Sequence, residues 1–231
     1  MPSDKHLGRV GGISAIVGAV VLFVATMLHP MDAHPGDAPA AFAEYALDRF
    51  WVATHLGQLL GVVLIATGLV ALSWKLRAGH AGVWALLACL AAVASVSLAG
   101  ALQAVDGIAL KFAVDRWSAS AESARAAAFE AAYAVRQVEV GLASLMGAFF
   151  GLTVLLYGIA LMLSPMAPRW LGVFGALAGV ATAISSVVQA HTGFSEVAMA
   201  ARMPSSLSVL VWSICIGIFL LQTARTAHNA A

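Results

Sequence analysis

The chain has 231 residues, of which 61% are hydrophobic and only 10% are charged, and its formal net charge is +1. Soluble domains carry about 25% charged residues, so this composition excludes an ordinary water-soluble fold. The net charge provides no basic field of the kind that binds nucleic acid, and no nucleic-acid partner is expected.

Six runs without Asp, Glu, Lys or Arg are long enough to cross a bilayer. A hydrocarbon core about 30 Å thick needs roughly 20 residues of helix. Because lipid cannot hydrogen-bond bare peptide groups, apolar runs of this length must form helices. We therefore predict an all-α polytopic membrane protein, a single domain over residues 1–231, with a bundle of six transmembrane helices at about 10–28, 51–74, 81–105, 140–163, 170–190 and 203–224.

The first run exceeds the roughly 7 to 15 apolar residues of a signal peptide, so we expect a helix that the protein retains. The segment 106–139 is a longer outer loop, and its Ala, Glu and Arg content between Ser120 and Gln137 predicts a helical extension of the fourth span. In this interpretation Ser120 caps the extension. Pro204 is expected in the first turn of the sixth span.

The basic residues favour one orientation in the membrane. The side that holds both termini carries short segments with six of them: Lys5, Arg9, Lys75, Arg77, Arg169 and Arg225. Lys and Arg concentrate in the short cytoplasmic loops of membrane proteins. We therefore predict a protein of the inner or plasma membrane, with both termini in the cytoplasm and the segment 106–139 outside.

Polar side chains gather where the first five spans reach the outer face. Three pairs are spaced three residues apart, so each pair shares one side of its helix: His55 with Gln58, Gln103 with Asp106, and Arg136 with Glu139. Three further residues lie at the same level: His29, Gln189 and His191. Charged groups near lipid normally face the bundle interior or water. We therefore predict that these residues line one polar cavity that opens outward.

Each of these groups also has a purely structural interpretation. A single membrane histidine often only hydrogen-bonds a neighbouring helix, and Arg136 with Glu139 can be a structural ion pair. Asp106 followed by Gly107 is also typical of a helix end. The loop 29–37 carries more His and Asp residues at spacings that a metal could use, but its prolines favour an ordinary turn.

One hypothesis for the cavity is a metal site, because imidazole and carboxylate groups are ligands of zinc and non-haem iron. A divalent metal activates a bound water, which would attack a lipid or other amphiphile in a hydrolase reaction. The predicted ligands are His55, His191, Asp106 and Glu139, with His29 in reserve. The amides that would orient these ligands are Gln58, Gln103 and Gln189.

A second hypothesis needs no metal. A carboxyl in a low-dielectric site can keep its proton and give it to an alkene or a leaving group of an isoprenoid-like substrate, as in an isomerase. The catalytic residues would be Asp106, Glu139, Arg136 and His55. A third hypothesis is haem b, with His55 and His191 as axial ligands and Arg136 beside a propionate. The chain has no Cys-x-x-Cys-His motif for covalent attachment.

Transport is the competing class of function, because ionisable residues inside membranes often mark ion or proton paths. The opposite half of the spans offers only weakly polar groups such as Ser73, Ser95 and Ser97. We therefore expect a membrane-embedded enzyme or cofactor-binding protein for a hydrophobic or amphiphilic ligand, with transport second and a structural role third. Its partners are membrane lipids and a small hydrophobic molecule, and both enzymatic activity and an oligomer stay open.

Overall fold

The apolar runs all lie in helices in the computed structural model, which describes residues 2–34 and 36–229. Over these residues the elements of secondary structure are all helices, with no strand: α1 Pro2–Met27, α2 Ala38–Leu47, α3 Trp51–Lys75, α4 Gly79–Gln103, a π-helix Ala104–Leu110, α5 Lys111–Ser118, α6 Glu122–Leu163, α7 Arg169–Thr192 and α8 Glu196–Asn229. Because α4, the π-helix and α5 follow one another without a break, they form one long rod.

Six of these rods are long and apolar enough to cross a membrane, namely Asp4–Met27, Trp51–Lys75, Gly79–Ser118, Glu122–Leu163, Arg169–Thr192 and Glu196–Arg225. This confirms the predicted all-α fold with six possible spans and an extended helical region. The third, fourth and sixth rods run further than the apolar runs, because their flanking residues are also good helix formers. The side of the membrane that holds the termini stays a prediction.

Two predicted helix starts are wrong. Ser120 does not cap α6, since its hydroxyl donates to the carbonyl of Arg116 at 2.7 Å and so closes the end of α5. Pro204 lies inside α8 instead of in its first turn. The helix starts earlier because Ser195 supplies a cap, its hydroxyl oxygen accepting from the backbone N–H of Ala198 at 3.2 Å.

Close helix packing in the bundle depends on glycine. A Cβ atom placed on Gly18 of α1 would lie 2.7 Å from the backbone nitrogen of Ile65 in α3. A Cβ atom on Gly151 of α6 would lie 2.6 Å from the backbone nitrogen of Ala183 in α7. Such approaches let neighbouring membrane helices gain van der Waals contact, which replaces the hydrophobic driving force that lipid does not provide.

The buried residues form two separate clusters. The larger one, the apolar core, runs through the middle of the bundle and includes Tyr157, Leu161 and Trp212. The smaller one, the aromatic core, is built by Phe42, Trp51, Leu110, Val114, Ala132 and Ala38. It joins α2, α3, α5 and α6 at the end of the bundle where α2 and the π-helix lie, which we name the polar end.

Candidate functional site

His55 lies in the second turn of α3 at the polar end and is only 1% exposed. Its Nδ1 is 2.7 Å from the carbonyl oxygen of Trp51, and its Nε2 is 3.1 Å from Asp106 Oδ2. A carbonyl can only accept, so Nδ1 carries a hydrogen. The contact with Asp106 then needs a second proton, on the imidazole or on the carboxyl. His55 and Asp106 therefore share one proton in a buried position.

The π-helix brings Asp106 to His55. The indole Nε1 of Trp51 donates to the main-chain carbonyl of Asp106 at 3.0 Å and holds this turn against α3. Gly107 allows the close approach, because a Cβ atom there would lie 2.6 Å from His55 Cβ. π-Helical turns inside α-helices are rare and often occur at functional sites. This one leaves Asp106 Oδ1 buried without a hydrogen-bond donor from the described residues.

The three predicted glutamines belong to two hydrogen-bonded groups. Gln103 Nε2 donates to Gln58 Oε1 at 3.3 Å, beside the His55–Asp106 pair. Gln189 Nε2 donates to the hydroxyl of Ser144 at 3.3 Å, and Gln189 Oε1 accepts from Arg202 Nη1. Gln103 Oε1 is buried and receives no hydrogen bond within the described chain.

Arg136 and Glu139 are both buried on α6, at 4% and 8% exposure. The guanidinium of Arg136 lies over three aromatic rings, 5.5 Å from the centre of Phe42, 5.8 Å from Tyr45 and 5.6 Å from Phe194. Glu139 interacts with the charges of Asp106, Arg136 and Arg202. Its Oε2 has no hydrogen-bond partner in the part of the chain that the structure describes.

His29 joins this group from the end of α1. Its ring centre lies 5.2 Å from that of His55 and 4.9 Å from that of Trp51, and its Nδ1 donates to the carbonyl of Pro30 at 2.7 Å. Burial lowers the pKa of His29, and the nearby His55 lowers it further. The ring is therefore neutral near pH 7, with a lone pair on Nε2. Burial also raises the pKa of Tyr45 to about 12, which keeps its phenol protonated.

Asp48 completes the carboxylates at the polar end. Its Oδ1 accepts from the backbone N–H of Phe50 at 2.7 Å, just before α3 begins. Its Oδ2 is buried without a donor among the described residues, and its charge acts on both His29 and His55. The residues that the structure brings together form the polar cluster, which we define as His29, Asp48, His55, Gln103, Asp106, Arg136, Glu139 and Arg202.

His191 does not join the polar cluster. It is exposed and makes no hydrogen bond or ion pair with the cluster in the described chain. The reason is helical phase, since Gln189 is 1% exposed and two residues along a helix point to nearly opposite sides. The 29–37 loop is a hydrogen-bonded turn in its described part: Glu44 accepts from the N–H groups of Asp32 and Ala33, and His34 pairs with Glu196. Pro35 lies outside the described residues.

The residues present do not fit the metal or haem hypothesis in this arrangement. Within 2–34 and 36–229 no group of three or more His, Cys, Asp and Glu side chains is placed to hold a metal ion. Both ring nitrogens of His55 have protein partners, and His191 points away. The zinc, iron and haem b assignments stay predictions, and no chemistry below depends on them.

Two surface grooves lie near the polar end, and neither includes a member of the polar cluster. One of about 350 Å³ runs past Trp117, Arg125 and Phe129, and the other of about 460 Å³ runs past Phe112, Arg116 and Val135. The predicted outward-opening cavity is not one of these two.

Sequence reasoning missed three contributors: Asp48, Tyr45 and Arg202. Arg202 had a readable signal, because it precedes the last apolar run on the same face as the other polar residues. With Arg202, all six spanning rods take part in or support the cluster. Tyr45 lies on the short helix α2, and Asp48 follows its last residue. The position of α2 over the bundle depends on its aromatic contacts.

Comparison with known proteins identifies a family of undefined activity. No curated protein matches the chain, and no solved structure matches it. Residues 10–223 match the model of a family described as a domain of unknown function, DUF4386, and this range includes the whole polar cluster. Because the match covers most of its length, the chain belongs to the DUF4386 family.

Proposed function

We propose that the protein is a membrane-embedded acid/base enzyme that acts on an amphiphile whose polar head reaches the polar cluster. The observation that supports this most is the 3.1 Å contact between His55 Nε2 and Asp106 Oδ2, which requires a proton between two side chains that are 1% and 14% exposed. Such a proton can pass directly to a substrate atom and does not have to be taken up from bulk water first. Electrostatic interactions in such a low-dielectric place are also stronger than in water.

The surrounding groups suit a proton-transfer reaction. The His55–Asp106 pair acts as the acid, giving its proton to a leaving group or an alkene. The neutral His29, whose ring lies 5.2 Å from that of His55, is positioned as the base that takes a proton in the same step. Arg136 and Arg202 provide positive charge for a group that becomes negative during the reaction.

The location of the cluster favours an amphiphilic substrate. His55 lies one turn inside a span that begins at Trp51, so the polar cluster lies close to where headgroups meet hydrocarbon. Large apolar side chains on the bundle surface near this end are exposed, including Leu56 and Ile108. A lipid-like molecule can keep its chain beside these surfaces while its head enters the cluster.

The test is consumption of lipids by the purified protein. Wild-type protein in nanodiscs made from the total lipids of the producing cells is incubated, and lipids are followed by mass spectrometry. We expect at least one amphiphile to be consumed, and Asp106→Asn to slow its consumption by about 100-fold or more, the usual contribution of a positioned acid or base. Glu130→Gln is the matched control, because Glu130 is an exposed carboxylate on α6. Equal consumption by Asp106→Asn, or none by the wild type, would disprove the proposal.

Proton transport is the second candidate, supported by hydroxyl groups that continue from the polar cluster into the apolar core. Ser95 and Thr153 lie 3.3 Å apart, and Ser73 and Tyr157 lie 2.7 Å apart. Hydroxyls can relay protons, but no hydrogen bond among the described residues joins one pair to the other. Proton flux into liposomes that carry the wild type, abolished in Asp106→Asn, would replace the enzyme proposal with this one.

A further inference from the structure

The polar cluster has an excess of acceptors. Four oxygens, each nearly out of reach of water, have no hydrogen-bond donor among the described residues: Asp48 Oδ2, Gln103 Oε1, Asp106 Oδ1 and Glu139 Oε2. Gln103 and Glu139 are each only 8% exposed. Buried polar groups in folded proteins are nearly always paired, so four such atoms at one end indicate a missing partner that donates.

Several donors around these oxygens are already in use. Arg202 donates to Gln189 Oε1, Gln103 Nε2 donates to Gln58, and the indole of Trp51 donates to the carbonyl of Asp106. His29 Nδ1 donates to the carbonyl of Pro30. A donor-rich ligand would meet oxygens that no described donor reaches, and it would leave these bonds intact.

The charges indicate the sign of the ligand. The carboxyls of Asp106 and Glu139 interact with the guanidiniums of Arg136 and Arg202, and the carboxyl of Asp48 acts on His29 and His55. His29 is neutral near pH 7 because burial lowers its pKa. A cation that replaces the proton shared by His55 and Asp106 leaves the total charge of the polar cluster unchanged, whereas an anion would add negative charge.

Other ionisable groups at the polar end are paired elsewhere. Lys111 donates to Asp115 at 2.7 Å and to the carbonyls of Tyr45 and Ala46. Glu44 binds two backbone N–H groups, and the phenol of Tyr45 stays protonated. The ammonium of Lys111 is therefore engaged outside the polar cluster.

We propose that the polar cluster binds the protonated primary amine of an amphiphile, and that the incoming ammonium replaces the proton shared by His55 and Asp106. An ammonium group has three N–H donors and one positive charge, so it supplies donors to the unpaired oxygens and takes over the charge of the proton that leaves. A quaternary ammonium supplies only the charge, and an alcohol supplies only a donor. This inference rests on the proposed function only for placing the amphiphile at the polar cluster.

The test compares four ligands with the same twelve-carbon chain on the full-length wild-type protein. Dodecylammonium, dodecyltrimethylammonium, dodecanol and dodecyl phosphate are titrated calorimetrically into phosphatidylcholine nanodiscs, with empty nanodiscs subtracted for partition into lipid. We expect dodecylammonium to bind at least about tenfold more tightly than dodecyltrimethylammonium. Repeating the titration in two buffers of different ionisation enthalpy should show about one proton released for each ammonium bound.

Variants locate the binding in the polar cluster. Gln103→Leu removes one unpaired oxygen without changing charge and should weaken dodecylammonium about tenfold, whereas Glu130→Gln should leave it unchanged. Asp106→Asn should abolish proton release. Equal affinity for the two ammonium ions, or tighter binding of dodecyl phosphate, would overturn the inference. Both comparisons are made on the wild-type protein, so a variant that fails to fold does not affect them.

The two proposals can fail separately. If dodecylammonium binds as expected but Asp106→Asn still consumes lipid normally, the enzyme proposal is wrong and the amine site stands. If Asp106→Asn stops lipid consumption while the wild type does not distinguish the two ammonium ions, the amine inference alone is wrong.

Discussion

The apolar core and the polar cluster are built by the same helices but treat buried polar atoms differently. In the core, the hydroxyl of Tyr157 donates to the carbonyl of Leu69 at 2.9 Å and lies 2.7 Å from Ser73 Oγ. The indole of Trp212 donates to the carbonyl of Leu171 at 3.1 Å. At the polar end, four buried oxygens receive no such bond from the described residues. Closed hydrogen bonding is what a structural role requires, and the open hydrogen bonding at the polar end is the basis of the binding that we propose there.

The largest expected effect is a loss of stability, without a loss of binding, when a side chain of the apolar core is truncated. Trp212 is fully buried, and truncating a buried Trp to Ala in a well-packed core costs about 3 to 5 kcal/mol. Trp212→Ala should therefore lower the thermal unfolding temperature strongly while the affinity of folded protein for dodecylammonium stays unchanged. A parallel loss of affinity would mean that the two regions are not independent.

An intermediate effect is expected where the π-helix meets α3. Gly107→Ala places a methyl group 2.6 Å from His55 Cβ, an overpacking that costs about 1 to 3 kcal/mol and moves the imidazole away from Asp106. Both unfolding temperature and lipid consumption should fall.

Gly100→Ala is the matched control for this change. It lies on the same rod with no neighbouring atom within 4 Å of the added methyl group, and alanine favours helix by about 1 kcal/mol. The control should be neutral or slightly stabilising. If Gly107→Ala behaves like Gly100→Ala, close contact between the π-helix and His55 is not needed.

The smallest effect concerns the pH dependence of stability. Burial lowers the pKa of His29 below its ordinary value of 6.5, so the unfolded chain binds more protons than the folded protein as the pH falls through that region. Stability should then rise with pH between the lowered value and about 6.5, by at most about 1.4 kcal/mol per pH unit from this one group. His29→Gln should flatten that part of the profile, measured as unfolding temperature from pH 5 to 8. A profile as steep as that of the wild type would show that His29 does not carry this dependence.

The six spanning rods and several residues of the polar cluster could be predicted from the sequence. The bilayer thickness fixes the length of a spanning helix, so uncharged runs indicated six rods. The alternating direction of the rods then placed His29, His55, Asp106 and Glu139 at one end. These inferences need only length, charge and order along the chain.

The remaining features depend on how each helix is rotated about its own axis and on one local departure from α-helical geometry. His191 was placed in the site because of its level in the membrane, but its phase relative to Gln189 turns it outward, which the spacing of two residues already implied. The π-helix could not be foreseen, since nothing in the residues 104–110 distinguishes it from an α-helical continuation. The π-helix has about one more residue per turn than an α-helix. The position of the Asp106 carboxyl relative to His55 depends on that wider turn, so it could not be predicted from the sequence.

The π-helix also gives this fold a simple evolutionary switch. A π-turn accommodates one more residue than an α-turn, so removing a single residue between Ala104 and Leu110 would convert the segment to regular helix. Because the wider turn had absorbed the additional residue, the helix beyond the deletion would keep its phase relative to the helix before it. Leu110 and Val114 would then stay in the aromatic core, while Asp106 would lose its position against His55. A one-codon change could thus create or erase the chemistry of such a bundle and leave its insertion into membranes intact.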